Sequence, residues 1–123
     1  MANPNIVNVS TILGKTACVD NIPTTAGSLA INSSSSGKIL KVNSLIIANI
    51  DGTNSADVTV TVRNGPGSAV LSTIASAVAV PAEATLVLLS KDTSIYLQEN
   101  MSLYVQASVA GDLSATCSYE EIS

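Results

Sequence analysis

Along much of this chain apolar and polar side chains alternate one for one. That two-residue period places successive side chains on opposite faces of an extended strand. Between Gly37 and Asp51, Leu40, Val42, Ile46, Ala48 and Ile50 fall on one face, while Lys41, Asn43 and Asn49 share the other with Ile39, Leu45 and Ile47. The pattern predicts a long central strand, able to bend, with one face wholly in the core. Val58, Val60 and Val62 alternate with Thr59, Thr61 and Arg63, and Met101, Leu103, Val105, Ala107 and Val109 alternate with Ser102, Tyr104, Gln106 and Ser108. A helix would need apolar repeats at three and four residues, and these windows do not offer them.

Weaker segments complete the set. Val7 and Val9 mark a strand near the start, Thr16 to Ile22 a second and Ser28 to Ile31 a short third. Val70 to Val80 reads as one or two strands of small residues, and Thr85 to Leu89 and Ile95 to Leu97 as brief ones. Leu113 to Ile122 closes the chain, with Leu113, Ala115, Cys117 and Tyr119 on one face. Ala75 to Ala84 has the composition for a helical turn, which Pro81 would break. Asp51-Gly52 with Asn54, Asn64-Gly65-Pro66-Gly67, Glu99-Asn100 and Gly111-Asp112 read as hairpin-type connectors. Eight or nine short strands punctuated in this way predict an all-β, antiparallel β-sandwich of jelly-roll or immunoglobulin-like topology. With 123 residues and no internal repeat, the chain is expected to form a single domain over residues 1–123.

Composition changes the picture at the surface. Charged residues make up only 11 % of the chain, against roughly 25 % in ordinary soluble domains. Ser, Thr, Asn and Ala take their place, giving a neutral, hydroxyl-rich exterior suited to being covered by other subunits. There is no Phe and no Trp, so the core must be aliphatic, with less transfer energy per residue than aromatic packing supplies. Part of the stability is therefore expected to come from neighbours in an assembly. The five basic residues, Lys15, Lys38, Lys41, Arg63 and Lys91, are scattered. Nucleic-acid binding needs clustered cations and stacking aromatics, so it is not expected. The start of the chain lacks the basic and apolar regions of a secretory signal. The longest apolar run falls far short of the ~20 residues of a membrane helix. A soluble product made in the cytosol, with no membrane partner, is expected.

The candidate chemistry is sparse. The chain has no His, which removes the commonest general base and metal ligand. Gly14-Lys15-Thr16 echoes the end of a phosphate-binding loop, but Val9 stands where the first Gly belongs and the following Ala17-Cys18-Val19 reads as strand. Glu120 and Glu121 are adjacent and so point to opposite faces, unfit to cooperate as a catalytic pair. Asp51-Gly52-Thr53-Asn54 with Asp57 gathers oxygen ligands for calcium but lacks the dense Asp spacing and terminal Glu of such loops. Turn capping explains it better. Cys18 and Cys117 read as small buried hydrophobes, and a disulfide requires that the first and last strands be neighbours. Tyr104 lies on the polar face of its strand, as a packing contact or a single sugar-stacking ring. The reading is of a non-enzymatic protein with no catalytic, cofactor or metal site and no cofactor.

Three stretches carry a resemblance: NIVNVSTILGKTA, KVNSLIIANIDGTNSADVTVTV and SKDTSIYLQENMSLYVQASVAGDLSATCSYEEIS. Together with the turn from Pro81 to Leu86, the Tyr96–Glu99 step and the ending Ser118–Ile122, they resemble small virion structural proteins of tailed bacteriophages, especially cyanophages. The resemblance covers nearly the whole chain. It implies a structural protein of the virion, assembled in the host cytoplasm, that decorates or cements the outer capsid surface. Its partners would be the major capsid protein or other virion proteins, and a homo-oligomer, with a trimer favoured, is implied. A tail, neck or fibre-associated component is the alternative, and a carbohydrate-binding host-adhesion module a second one. The resemblance designates no functional residues.

Overall fold

The computed structural model describes residues 7–67 and 69–123. Among these described residues, nine strands and one short 3-10 turn follow one another: β1 (Ile12–Val19), β2 (Gly27–Asn32), β3 (Ile39–Asn49), β4 (Ala56–Asn64), β5 (Ala69–Val80), β6 (Thr85–Leu89), the 3-10 turn Lys91–Thr93, β7 (Ile95–Leu97), β8 (Met101–Ala107) and β9 (Leu113–Ile122). They form two antiparallel sheets. The first has the order β1-β9-β3-β6, with β7 also pairing β3; the second has the order β2-β8-β4-β5. The chain is nested on itself: β4 pairs β5, β3 pairs β6 and β7, β2 pairs β8, and β1 pairs β9. This folded ribbon of strands, wrapped into two facing sheets, is the jelly roll, and it selects between the two sandwich topologies.

The core lies between the sheets. Val42, Leu45, Ile47, Leu97, Leu113, Ala115 and Cys117 of the first sheet meet Val58, Val60, Leu103, Val105 and Ala107 of the second, all close to fully buried. Each buried Val, Leu or Ile contributes about 1.5–3 kcal/mol of transfer free energy. The alternation read from β4, β8 and β9 meets the core as expected, except that β8 ends at Ala107 and leaves Val109 48 % exposed.

β3 departs from simple alternation. Its register against β9 shifts between Val42 and Ser44, so Asn43 is an extra residue, and one added residue reverses which side chains face inward. Leu40 and Val42 are buried before the bulge; Leu45, Ile47 and Asn49 are buried after it. Ile46 and Ala48, expected in the core, lie on the outer face, and Ile50 is 60 % exposed.

Other expectations need adjustment. No strand forms at Val7 and Val9, where Val7 is almost fully exposed. The following strand begins at Ile12 and ends at Val19; Ile22 is buried beyond it, its amide donating to the Leu113 carbonyl at 2.9 Å. Residues 75–80 continue β5 and form no helical turn. Of the four turn clusters, only Asn64–Gly67 closes a hairpin, between β4 and β5. The Asp51 loop, Glu99-Asn100 and Gly111-Asp112 instead carry the chain from one sheet to the other. Positive φ at Gly65, Gly67, Asn100 and Gly111 serves any sharp reversal, and turn composition does not specify which sheet receives the next strand.

Candidate functional site

Gly14, Lys15 and Thr16 lie in mid-strand on β1, with no loop or helix to hold a phosphate. Lys15 instead donates to Glu121 Oε2 at 2.9 Å, while Lys38 reaches Glu121 Oε1 at 2.8 Å. The two ammonium groups, Lys38 first, hold the Glu121 carboxyl below the ordinary range, and Glu121 in turn raises Lys15. Glu120 takes the opposite face, with Asn43 Nδ2 3.4 Å from its Oε2. The two carboxylates do not converge.

Asp51 builds a turn. Its Oδ1 accepts the Thr53 amide at 2.9 Å and its Oδ2 the Asn54 side chain at 3.3 Å, and these bonds lower its pKa. Asp57 lies within β4, paired with Ala79, its amide donating to Ser108 Oγ. Among the described residues, no group of three or more His, Cys, Asp or Glu side chains is placed to hold a metal ion. Also among them, no helix is long and apolar enough to cross a membrane.

β1 and β9 are neighbours, which was the condition for a disulfide. Their register sets Ala17 opposite Cys117 and Cys18 opposite Thr116, so the two thiols project from opposite faces and both are free. Cys117 is buried, and desolvation pushes its pKa up to about 11. Cys18 is exposed, contrary to the expectation that both would be buried.

Tyr104 is fixed on the outer face of the second sheet. Its hydroxyl donates to the Pro66 carbonyl at 2.7 Å, and the Arg63 guanidinium carbon lies 5.0 Å from the ring centroid. A Cβ on Gly67 would come within 2.7 Å of the ring, so glycine is required for the hairpin to close over it. With one ring face under a cation and one edge against the hairpin, little of Tyr104 is left to stack on a sugar. A cleft of about 200 Å³ beside this hairpin, lined by Ile31, Asn32, Ser33, Ser34, Gly65, Pro66 and Asn100, is below the ~300 Å³ at which small-molecule sites begin.

The broadest feature is the outer face of the first sheet. Register places Cys18, Thr116, Ile46 and Val87 in one row across β1, β9, β3 and β6. Thr16, Ser118 and Ser44 form the row on one side, and Ser114, Ala48 and Thr85 the row on the other. These rows hold no charge; the next begins with Lys41 opposite Glu120. Val87 is 58 % exposed. The alternation in β9 pointed to this face, but the β3 bulge, which supplies Ile46 and Ala48, hid half of it.

No family model matches the chain, and no curated protein matches it. Among solved structures, that of Bacillus endospore appendages, described as a novel family of disulfide-linked pili, aligns with a TM-score of 0.54 at 15 % identity, over 92 % of this chain and 88 % of that one. The VP2 subviral particle of infectious bursal disease virus aligns at 0.49 with 10 % identity, and the virus of the Gx strain at 0.45 with 11 %. In both, 93 % of this chain corresponds to about a third of the viral chain (33 % and 32 %). At this identity the appendage likeness concerns the fold alone.

Proposed function

We propose that this chain is a non-enzymatic virion structural protein of a tailed bacteriophage, seated on the outer surface of the head as a decoration or cement subunit. The observation that carries the reading is the uncharged face spread over four strands of the first sheet, from Cys18 through Thr116 and Ile46 to Val87. Covering such a face desolvates hydroxyl and aliphatic groups but no ion, so the losses that accompany burial of charge do not arise. Interface centres are depleted of charge in the same way. The resemblance to phage virion proteins supplies the particle, and the face supplies the means of attachment.

The test is to strip the protein from heads and add it back. Stripped heads are expected to rupture at lower temperature or milder osmotic shock, and re-addition to restore them. Thr116→Lys, at the centre of the face, should abolish re-binding, whereas Gln106→Lys on the opposite sheet should not. Heads equally robust with and without the protein, or unimpaired re-binding by Thr116→Lys, would overturn the proposal and favour a tail, neck or fibre position. The adhesion alternative predicts saturable glycan binding lost in Tyr104→Ala, and the occupied Tyr104 ring argues against it.

A further inference from the structure

A sandwich has four open edges, and here they differ. β5 loses register with β4 three times, between Val58 and Val60, Val60 and Thr61, and Val62 and Arg63. β2 shifts once against β8, and β6 once against β3. Bulges of this kind twist an edge away from an incoming strand. Among the longer edge strands β1 alone pairs without a shift, from Ile12 opposite Ile122 to Val19 opposite Ala115; β7 also pairs β3 without one, but over only three residues, Ile95–Leu97. Among the described residues its far side is the end of the sheet, a row of backbone donors and acceptors with no bulge to deflect another strand.

We propose that β1 pairs antiparallel with β1 of a second copy, about a two-fold axis at Thr16, so that the first sheet continues across two molecules. Directly opposed residues must share a face of the sheet, which restricts a two-fold pair to axes through a residue. An axis through Lys15 would set two ammonium groups opposite each other. An axis through Thr16 sets Leu13 opposite Val19, Gly14 opposite Cys18, Lys15 opposite Ala17, and the two Thr16 hydroxyls together. Large apolar meets apolar, small meets small, and the lysine stem lies over alanine. The charge on each Lys15 is already matched by its own Glu121 at 2.9 Å, so the strand is complementary to itself. Leu13, 49 % exposed, gains cover. The inference stands apart from the coat reading, because it needs only a second copy of the chain.

One strand edge falls short of the ~1,200 Å² that stable interfaces bury, so association should be read at high concentration. Sedimentation of the reduced full chain up to roughly millimolar is expected to reach the mass of two copies. Thr16→Lys and Thr16→Glu, exposed changes that the fold tolerates, should each remain single, and an equimolar mixture of the two should pair again. Gly14→Cys, where an added Cβ meets nothing within 4 Å, should give a covalent dimer with an added disulfide oxidant. Its thiol and the partner's Cys18 thiol would lose two protons and two electrons to the oxidant as the S–S bond forms; adding Cys18→Ser should abolish the link. A wild-type chain that stays single, a Thr16→Lys variant that pairs like wild type, or a mass of three copies would each overturn the two-fold edge. A mass of three would leave the proposed attachment to heads intact.

Discussion

Two asparagines show how much a single side chain can set. Asn49, the last residue of β3, is 4 % exposed, and its amide donates to the Val80 carbonyl at 2.9 Å and the Asn54 carbonyl at 3.0 Å. Its Oδ1 accepts the Asp51 amide at 2.9 Å. Asn32, the last residue of β2, donates to the Lys38 and Leu97 carbonyls in the same manner. Each braces a loop that crosses between the sheets. Neither was legible as a core residue, since an amide in a strand reads as solvent-facing until the bulge or the crossing loop is known. Asn49→Ala strands one buried and two part-buried backbone groups and is expected to cost roughly 2–4 kcal/mol in a urea melt, with Asn54→Ala costing far less. Glu121 gives a pH signature. Its folded pKa lies below the unfolded value, so its contribution is present above the unfolded pKa and lost as pH falls through the folded one. Wild type should therefore melt above Glu121→Gln at neutral pH, and the gap should close as pH falls through the folded pKa.

At the scale of elements, alternation located β4, β6, β7, β8 and β9 because each is flanked by turn residues and has one face in the core. It located β3 as well but misassigned its faces beyond Val42, because a bulge leaves no mark on composition and Asn43 looks like any other outward residue. It failed at the start of β1, an edge strand exposed over most of its length, because little is buried there to enforce a period. β5 has a strained point of its own: Ala77 adopts φ +48 where its amide donates to Thr59 Oγ1 at 3.0 Å. A left-handed alanine costs about 1 kcal/mol that glycine avoids, partly offset by the added freedom of an unfolded glycine. Ala77→Gly should be neutral or stabilising by up to about 1 kcal/mol. The same change at Ala115, 0 % exposed in β9, should be clearly destabilising, and thermal melts compare the two directly.

For the whole molecule, aliphatic side chains without Phe or Trp fill the space between the sheets, and a domain of this size has only about 5–15 kcal/mol of net stability. If neighbours supply part of what the core does not, the melting temperature should climb as protein concentration is raised. A high melting temperature that is independent of concentration would count against that dependence. The nested pairing has a further consequence, for how the chain is made. β4 and β5 adjoin in sequence and can meet early, whereas β1 waits for β9, which is synthesised after the other eight strands and then fills a slot between β1 and β3. Until β9 emerges from the ribosome, β1 lacks the strand it pairs with and the edge of β3 that β9 occupies lies unpaired. A nascent chain held in that half-zipped state is the form most exposed to chaperones, proteases and mispairing, and the insertion of β9 is the step that ends its vulnerability.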